Sequence, residues 1–236
     1  MKYISIDTET TGLDPDKCQV IEFGAVIDDL SDPKPIKDLP KFQCYIRYPE
    51  YKGSAFALQM NQKILHTLAI DSEEDPICDA EDVAEYFEGF LFENGYVESD
   101  KIIPAGKNFA SFDWPFIKDF PLYINKMKIR FDHRMLDPMS MYITKDDIYP
   151  PDTSECLKRA GLNTHVAHNA IDDACDVIRL IRYKILCPTF QPVLSFETVK
   201  GSCSNCHREI EYTLDTPEDS VIRILCDECI STRILE

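Results

Sequence analysis

No run of about 18 apolar residues occurs in this 236-residue chain, so none of its helices is built to cross a bilayer. Basic side chains are scarce: 25 Lys and Arg stand against 42 Asp and Glu, a net charge of -17. That deficit excludes a protein that coats duplex nucleic acid through a broad basic surface, because neutralising phosphates needs clustered Lys and Arg. Internal repeats and low-complexity runs are also missing. The amino-terminal Met1-Lys2-Tyr3-Ile4-Ser5-Ile6-Asp7 turns acidic too early for a secretory signal peptide. A cytoplasmic location is the resulting expectation.

The sequence has enough apolar content for a packed core, at 44% hydrophobic. The length suits one ordinary domain with a small appendage. Ten cysteines in a reducing compartment read as thiols or metal ligands rather than a disulfide framework. Cys18, Cys44, Cys78, Cys156, Cys175 and Cys187 are scattered and suit small core positions. The other four are clustered near the carboxyl end.

Apolar patterning predicts strands at 3–8, 19–27 and 41–48, with Ile4 and Ile6 on one face of the first and Ser5 and Asp7 on the other. Helices are predicted over 54–68 and 79–92, the second capped by Asp79. A short strand at 101–106, a helix at 112–120 and a strand at 129–136 follow. Thr153 and Ser154 are predicted to cap a helix ending at Gly161. The longest helical pattern runs from His168 to Leu186, with Ile171, Ala174, Ile178, Ile181 and Ile185 at three- and four-residue spacing. Strands followed by mixed elements and a terminal helix predict an α/β domain over residues 1–190. A linker containing Cys187-Pro188 leads to a separate module over 199–236.

Several acidic residues stand out. Asp7 and Glu9 lie two apart on a strand, so both point to one face. Adjacent carboxylates repel one another, and a shared divalent cation removes that penalty. Asp113 follows a short apolar strand where a helix should begin, a position that suits either a helix cap or a ligand. In His168-Asn169-Ala170-Ile171-Asp172-Asp173 two aspartates compete. Asp172 continues into Asp176, Arg179 and Tyr183, read as a solvent face, whereas Asp173 continues into Val177 and Leu180. Asp173 is therefore favoured as ligand. His168 would then sit just before the helix, with His165 as its rival.

Asp7-Thr8-Glu9-Thr10-Thr11-Gly12-Leu13, then Asn108 with Phe112-Asp113, then His168 with Asp173 five residues on, resemble in order the three motifs of the DEDDh exonuclease family. This family includes polymerase proofreading subunits, ribonuclease T and oligoribonuclease. Ile21-Glu22-Phe23-Gly24-Ala25-Val26 resembles its second strand, and the likeness covers about residues 1–187. The stretch 54–79 is longer and less familiar.

The resemblance implies a ribonuclease H-like α/β fold: a mixed five-stranded sheet flanked by helices, with the acidic cluster at one sheet edge. It implies that Asp7, Glu9, Asp113 and Asp173 hold two Mg²⁺ or Mn²⁺ ions, with His168 as general base. The implied reaction is 3′→5′ removal of nucleoside 5′-monophosphates from a single-stranded 3′ end. Thr10, Thr11, Asn108 and Phe112 become substrate-binding candidates. The Asp-Thr-Glu-Thr-Thr-Gly form is closer to the proofreading branch, which tilts the reading toward DNA, with RNA trimming as the alternative. A basic stretch, Lys118, Lys126, Lys128, Arg130 and Arg134, suits either a strand path or a solvated face.

Cys203-Ser204-Asn205-Cys206 and Cys226-Asp227-Glu228-Cys229 form two C-x₂-C pairs nineteen residues apart. That spacing predicts one structural Zn²⁺ held by four thiolates in a zinc-ribbon-like module, with strands at 210–214 and 221–225. His207 completes a C-x-x-C-H haem pattern, but the second cysteine pair favours zinc. From Phe196 onward nine acidic and four basic residues leave -5, and the preceding region carries the other -12. Such a tail suits a protein partner, or docking within a polymerase-associated complex, better than a second phosphate-gripping surface.

Overall fold

The computed structural model describes residues 1–119, 131–162, 169–186, 197–202 and 209–214. Strand β1 (Lys2–Thr10) is an interior strand of a five-stranded mixed sheet that also contains β2 (Val20–Asp29), β3 (Lys41–Arg47), β4 (Ile77–Asp79) and β5 (Pro104–Ala105). The strand order is β4-β3-β2-β1-β5. The β1–β2 and β2–β3 pairs are antiparallel; β1–β5 and β3–β4 are parallel. Isolated bridges join Ile102 to Phe131 and Ala105 to Leu136, and they replace the longer strand predicted over 129–136.

Both faces of the sheet are covered, which is why β1 is buried from Tyr3 through Ile6 without the polar alternation of a half-exposed strand. On one face Ile4, Ile6, Phe23 and Ile46 meet Phe87 and Leu91 of α3 (Val83–Glu93) and Phe116 and Ile117 of α4 (Asp113–Asp119). On the other face Tyr3 and Val26 meet Ala174, Ile178 and Ile181 of α7 (Ala170–Leu186). Each fully buried aliphatic side chain of this kind contributes about 1.5–3 kcal/mol. Four of the scattered cysteines, Cys44, Cys78, Cys156 and Cys175, are buried and free, as small core side chains.

Several local expectations are corrected. Residues 54–68 form two helices, α1 (Ala55–Met60) and α2 (Gln62–Ile70), because the backbone breaks at Asn61 (φ -91, ψ 23). Asp79 is not a helix cap: it ends β4 opposite Arg47, and the helix begins at Val83 after Asp82. After α5 (Pro138–Met141), helix α6 (Thr153–Arg159) is capped by Asp152, whose carboxylate accepts the Glu155 N–H at 2.8 Å. Gly161, at φ +69, takes the left-handed turn just past the helix. A two-stranded antiparallel sheet pairs β6 (Glu197–Ser202) with β7 (Glu209–Leu214). The predicted strand at 221–225 and all four clustered cysteines lie outside the described residues. Among those residues no helix is long and apolar enough to cross a membrane.

Candidate active site

Three elements converge at the carboxyl-terminal end of β1. The period of two directs Asp7 and Glu9 to the face covered by α7, where donor oxygens of Asp7, Glu9 and Asp173 all lie within 4.8 Å of one another. Thr8 points the other way and donates to Asp113 Oδ1 at 2.6 Å, tying the first residue of α4 to the strand. Asp113 is buried at 2% exposure. Its helix starts where Trp114 N–H bonds to Phe109 O (2.8 Å), with Pro115 in the first turn, where a missing N–H costs nothing.

Two neighbours let α7 approach the sheet. Gly24 stands opposite Asp7 in the ladder, and a Cβ there would meet the Ala170 carbonyl carbon and Cβ at 2.7 Å. Only glycine allows the first turn of α7 to rest on β2, and Asp173 sits in that turn. Glu22, opposite Glu9 and fully buried, accepts from Gln43 Nε2 at 2.6 Å and lies near the Ala170 amide, which lowers its pKa against the effect of burial. Its carboxylate thus sits at the amino end of the same helix, where negative charge is favoured.

The electrostatics are those of a cation site. Burial, then the charges of Asp113, Asp173 and Glu9, push the Asp7 carboxyl well above the usual range. Glu9 rises to about 7 through burial, with Glu22 and Asp173 adding to it. Asp113 rises to about 7 through burial, although the Thr8 hydrogen bond opposes the shift. Burial also raises Glu22. Gathering carboxylates where water screens them poorly is unfavourable until a positive charge joins them. The all-oxygen donor set fits a hard divalent cation such as Mg²⁺ or Mn²⁺ rather than a soft one.

The cluster forms one wall of a cleft of about 560 Å³. Asn108 and Phe112 line it, as do Lys107, Asp152 and Thr153, none of which sequence reasoning assigned to the site. Asn108 holds a left-handed backbone (φ 55), and its carbonyl accepts the N–H groups of Ser111 and Phe112 at 2.9 Å. Thr10 and Thr11 have a different role. Thr10 Oγ1 donates to Gly12 O (2.7 Å) and Thr11 Oγ1 to Lys52 O (2.5 Å), and neither residue lines the cleft. Both shape the turn behind it. Asp172 is exposed and bonded to Asn169, while Asp173 faces the cluster. The helix face that Asp172 begins is not the solvent face expected, since Asp176 and Tyr183 are buried. His165 and His168 lie outside the described residues, as do Lys126, Lys128 and Arg130; Arg134 is ion-paired with Asp132 at 3.0 Å.

A mixed sheet between helices, with acidic side chains gathered at the end of the interior strand β1, defines a ribonuclease H-like nuclease. The exonuclease (RNase T) family model matches residues 4–181, and the chain belongs to the DEDDh 3′→5′ exonuclease family. It is similar to the Escherichia coli 3′-5′ DNA exonuclease Cap18, at 27% identity over 186 residues, 76% of this chain and 90% of that one. Among solved structures, cell-death related nuclease 4 superposes with a TM-score of 0.51 at 16% identity, covering 86% of this chain and 69% of that one. E. coli exonuclease I in complex with a 5cy-dT13 oligonucleotide gives a TM-score of 0.56 at 15% identity, covering 81% of this chain. This chain spans only 41% of exonuclease I.

Proposed function

We propose that this chain is a two-metal-ion hydrolase that removes nucleoside 5′-monophosphates from the 3′ end of single-stranded nucleic acid, preferring DNA. The observation that carries this reading is the convergence of Asp7, Glu9 and Asp173 oxygens within 4.8 Å, beside the buried Asp113. These four carboxylates would hold Mg²⁺ or Mn²⁺. Bound ions of this kind polarise a phosphodiester and lower the pKa of an attacking water. Asn108 and Phe112 would contact the terminal nucleotide from the cleft wall. His168 is assigned as the general base that takes the proton of the water; an imidazole titrates in the range this needs. The similarity to a DNA exonuclease, and to exonuclease I bound to an oligonucleotide, supports DNA as the strand.

Digestion of 3′- and 5′-labelled DNA and RNA, single- and double-stranded, with Mg²⁺ or Mn²⁺ tests the reading. Mononucleotide release from 3′ ends of single-stranded DNA is expected, and faster loss of RNA would make it a trimming exoribonuclease. Asp7→Ala should abolish turnover, since several kcal/mol of transition-state stabilisation amounts to about 10³-fold or more in rate. Full activity in that variant, or in chelator, removes the two-metal mechanism. His168→Ala should cost more than His165→Ala; the reverse order would reassign the base.

For the tail, residues 199–236, we infer one structural Zn²⁺ on Cys203, Cys206, Cys226 and Cys229. The pairing of Ser202 with Glu209 supports it, because residues 203–208, which hold the first C-x₂-C, then connect two antiparallel strands. Four thiolates close the coordination shell, so this ion would be structural. The acidic balance of the tail supports docking of a protein partner there, and the chain is assigned to the cytoplasm.

A further inference from the structure

Asn61 stands at the break between α1 and α2, in the part of the chain least like the family motifs. Its backbone serves both helices: Asn61 N–H bonds to Ala57 O at 3.0 Å, and Asn61 O accepts from Leu65 N–H at 3.0 Å. Its side chain does something else. Asn61 Nδ2 donates to Thr10 O at 3.0 Å, which pins the backbone one residue past Glu9, and the same carboxamide lies beside the Glu9 carboxylate, where it opposes the rise that burial imposes. The register of β1 against β2 slips between Glu9 and Thr10, so the ladder is irregular where Asn61 reaches in. A second hold comes from Ser54, whose N–H bonds to Thr11 O at 2.8 Å at the start of α1.

Glu9 needs such a hold more than Asp7 does. Its longer side chain has more rotamers to lose, and it shares a small space with Asp7 and Asp173, which repel it. A neutral carboxamide beside it, itself pinned to the Thr10 carbonyl, limits that freedom without adding charge. Polar groups around metal-ligating carboxylates orient them, and losing such a partner weakens metal affinity by about 10–100-fold.

We propose that Asn61 is a positioning residue that orients Glu9 for metal binding and couples the α1–α2 segment to the carboxylate cluster. The proposal rests on the metal reading of that cluster. Mn²⁺ alone, titrated calorimetrically into the intact chain, tests it, with Asp7→Ala as the baseline for Mn²⁺ held elsewhere. Asn61→Ala and Asn61→Ser should bind Mn²⁺ about 10–100-fold more weakly than the wild type while melting at nearly the same temperature without metal. Serine keeps a side chain suited to a helix cap, so at least one variant should fold. Wild-type affinity in either folded variant overturns the proposal, as does a wild-type chain with no Mn²⁺ binding above the baseline. If the variants lose Mn²⁺ affinity but the wild type hydrolyses no nucleic acid, the role of Asn61 stands and the exonuclease reading falls.

Discussion

Arg182 and Asp28, 154 residues apart, form a fully buried ion pair between α7 and β2. Arg182 Nε lies 3.0 Å from Asp28 Oδ2, a second guanidinium nitrogen meets Oδ1, and Nη1 donates to Lys34 O at 2.6 Å. Tyr3 OH donates to the same carboxylate at 2.6 Å, and burial raises its pKa strongly. This anchor sets how α7 lies on the sheet, and α7 carries Asp173. Arg182→Met would strand a buried carboxylate, so it should cost about 3–5 kcal/mol in urea unfolding. Asp28→Leu added to it should restore much of the loss. An Arg182→Met chain as stable as the wild type would show that the pair contributes little.

Gly24→Ala should damage the site without touching a ligand. The added Cβ meets backbone atoms of Ala170, which cannot swing aside as a flexible side chain would. Overpacking of this kind costs about 1–3 kcal/mol, and relief requires the first turn of α7 to lift from β2. Mn²⁺ affinity should therefore fall along with the melting temperature. A variant with normal affinity and normal stability would mean that the helix rests less tightly there.

Much of this could be read from residue patterns, and the failures have common causes. The strand carrying Asp7 and Glu9 and the helix start at Asp113 follow from period and turn chemistry, which are local, whereas the preference for Asp173 over Asp172 rests on a solvent face through Asp176 and Tyr183 that the structure buries. The bond from Thr8 to Asp113 spans 105 residues, and the anchor of Asp28 on Arg182 spans 154. No local pattern encodes either. The cap expected at Asp79 failed because pairing with β3 drew 77–79 into the sheet. Asp176 looked solvent-facing by its polarity, yet it is buried beside Arg179, with which it forms an ion pair. Glu22 lay in a recognised strand, but its place beside Glu9 depends on the β1–β2 register.

The apo protein should become more stable as pH falls from 8 toward 5. Glu9 and Asp113 are both raised to about 7 from ordinary values of 4.5 and 3.8, chiefly by burial. Between those limits the folded chain binds more protons than the unfolded chain, so stability decreases as pH rises through that window. A thermal melt in chelator should show a gain of several degrees on acidification. Saturating Mn²⁺ should flatten or reverse the trend, because the cation replaces the protons. A metal-free melting temperature that rises with pH between 5 and 8 would contradict the burial of these groups as acids.

Zinc in the tail is checked by metal analysis of reduced, purified protein, with about one equivalent expected. Cys203→Ser or Cys229→Ser should lose it. Hydrolysis by the remaining domain should fall only slightly, since a closed thiolate site has no open position for substrate. Absence of tightly held zinc, or two disulfides in its place, would end this assignment.

The adjacent aspartates of α7 offer the sharpest contrast. Asp172 is exposed; its backbone N–H donates to Asn169 Oδ1 at 2.9 Å and its carboxylate accepts from Asn169 Nδ2 at 2.6 Å. Asp173 shares the small space of Asp7 and Glu9. The two substitutions Asp172→Asn and Asp173→Asn remove the same charge one position apart on the same helix turn, so general effects on helix stability are matched. Asp173→Asn should relieve repulsion in the metal-free protein and raise its melting temperature, while cutting turnover by about 10³-fold or more, as expected for loss of a group that holds charge in the transition state. Asp172→Asn should change turnover less than about threefold, since a solvated surface carboxylate contributes little. Opposite movement of stability and activity in one variant, with neither moving in its neighbour, is the signature of a carboxylate kept for cation binding rather than for folding. Equal losses in both variants would place the ligand role on the helix terminus as a whole and not on Asp173.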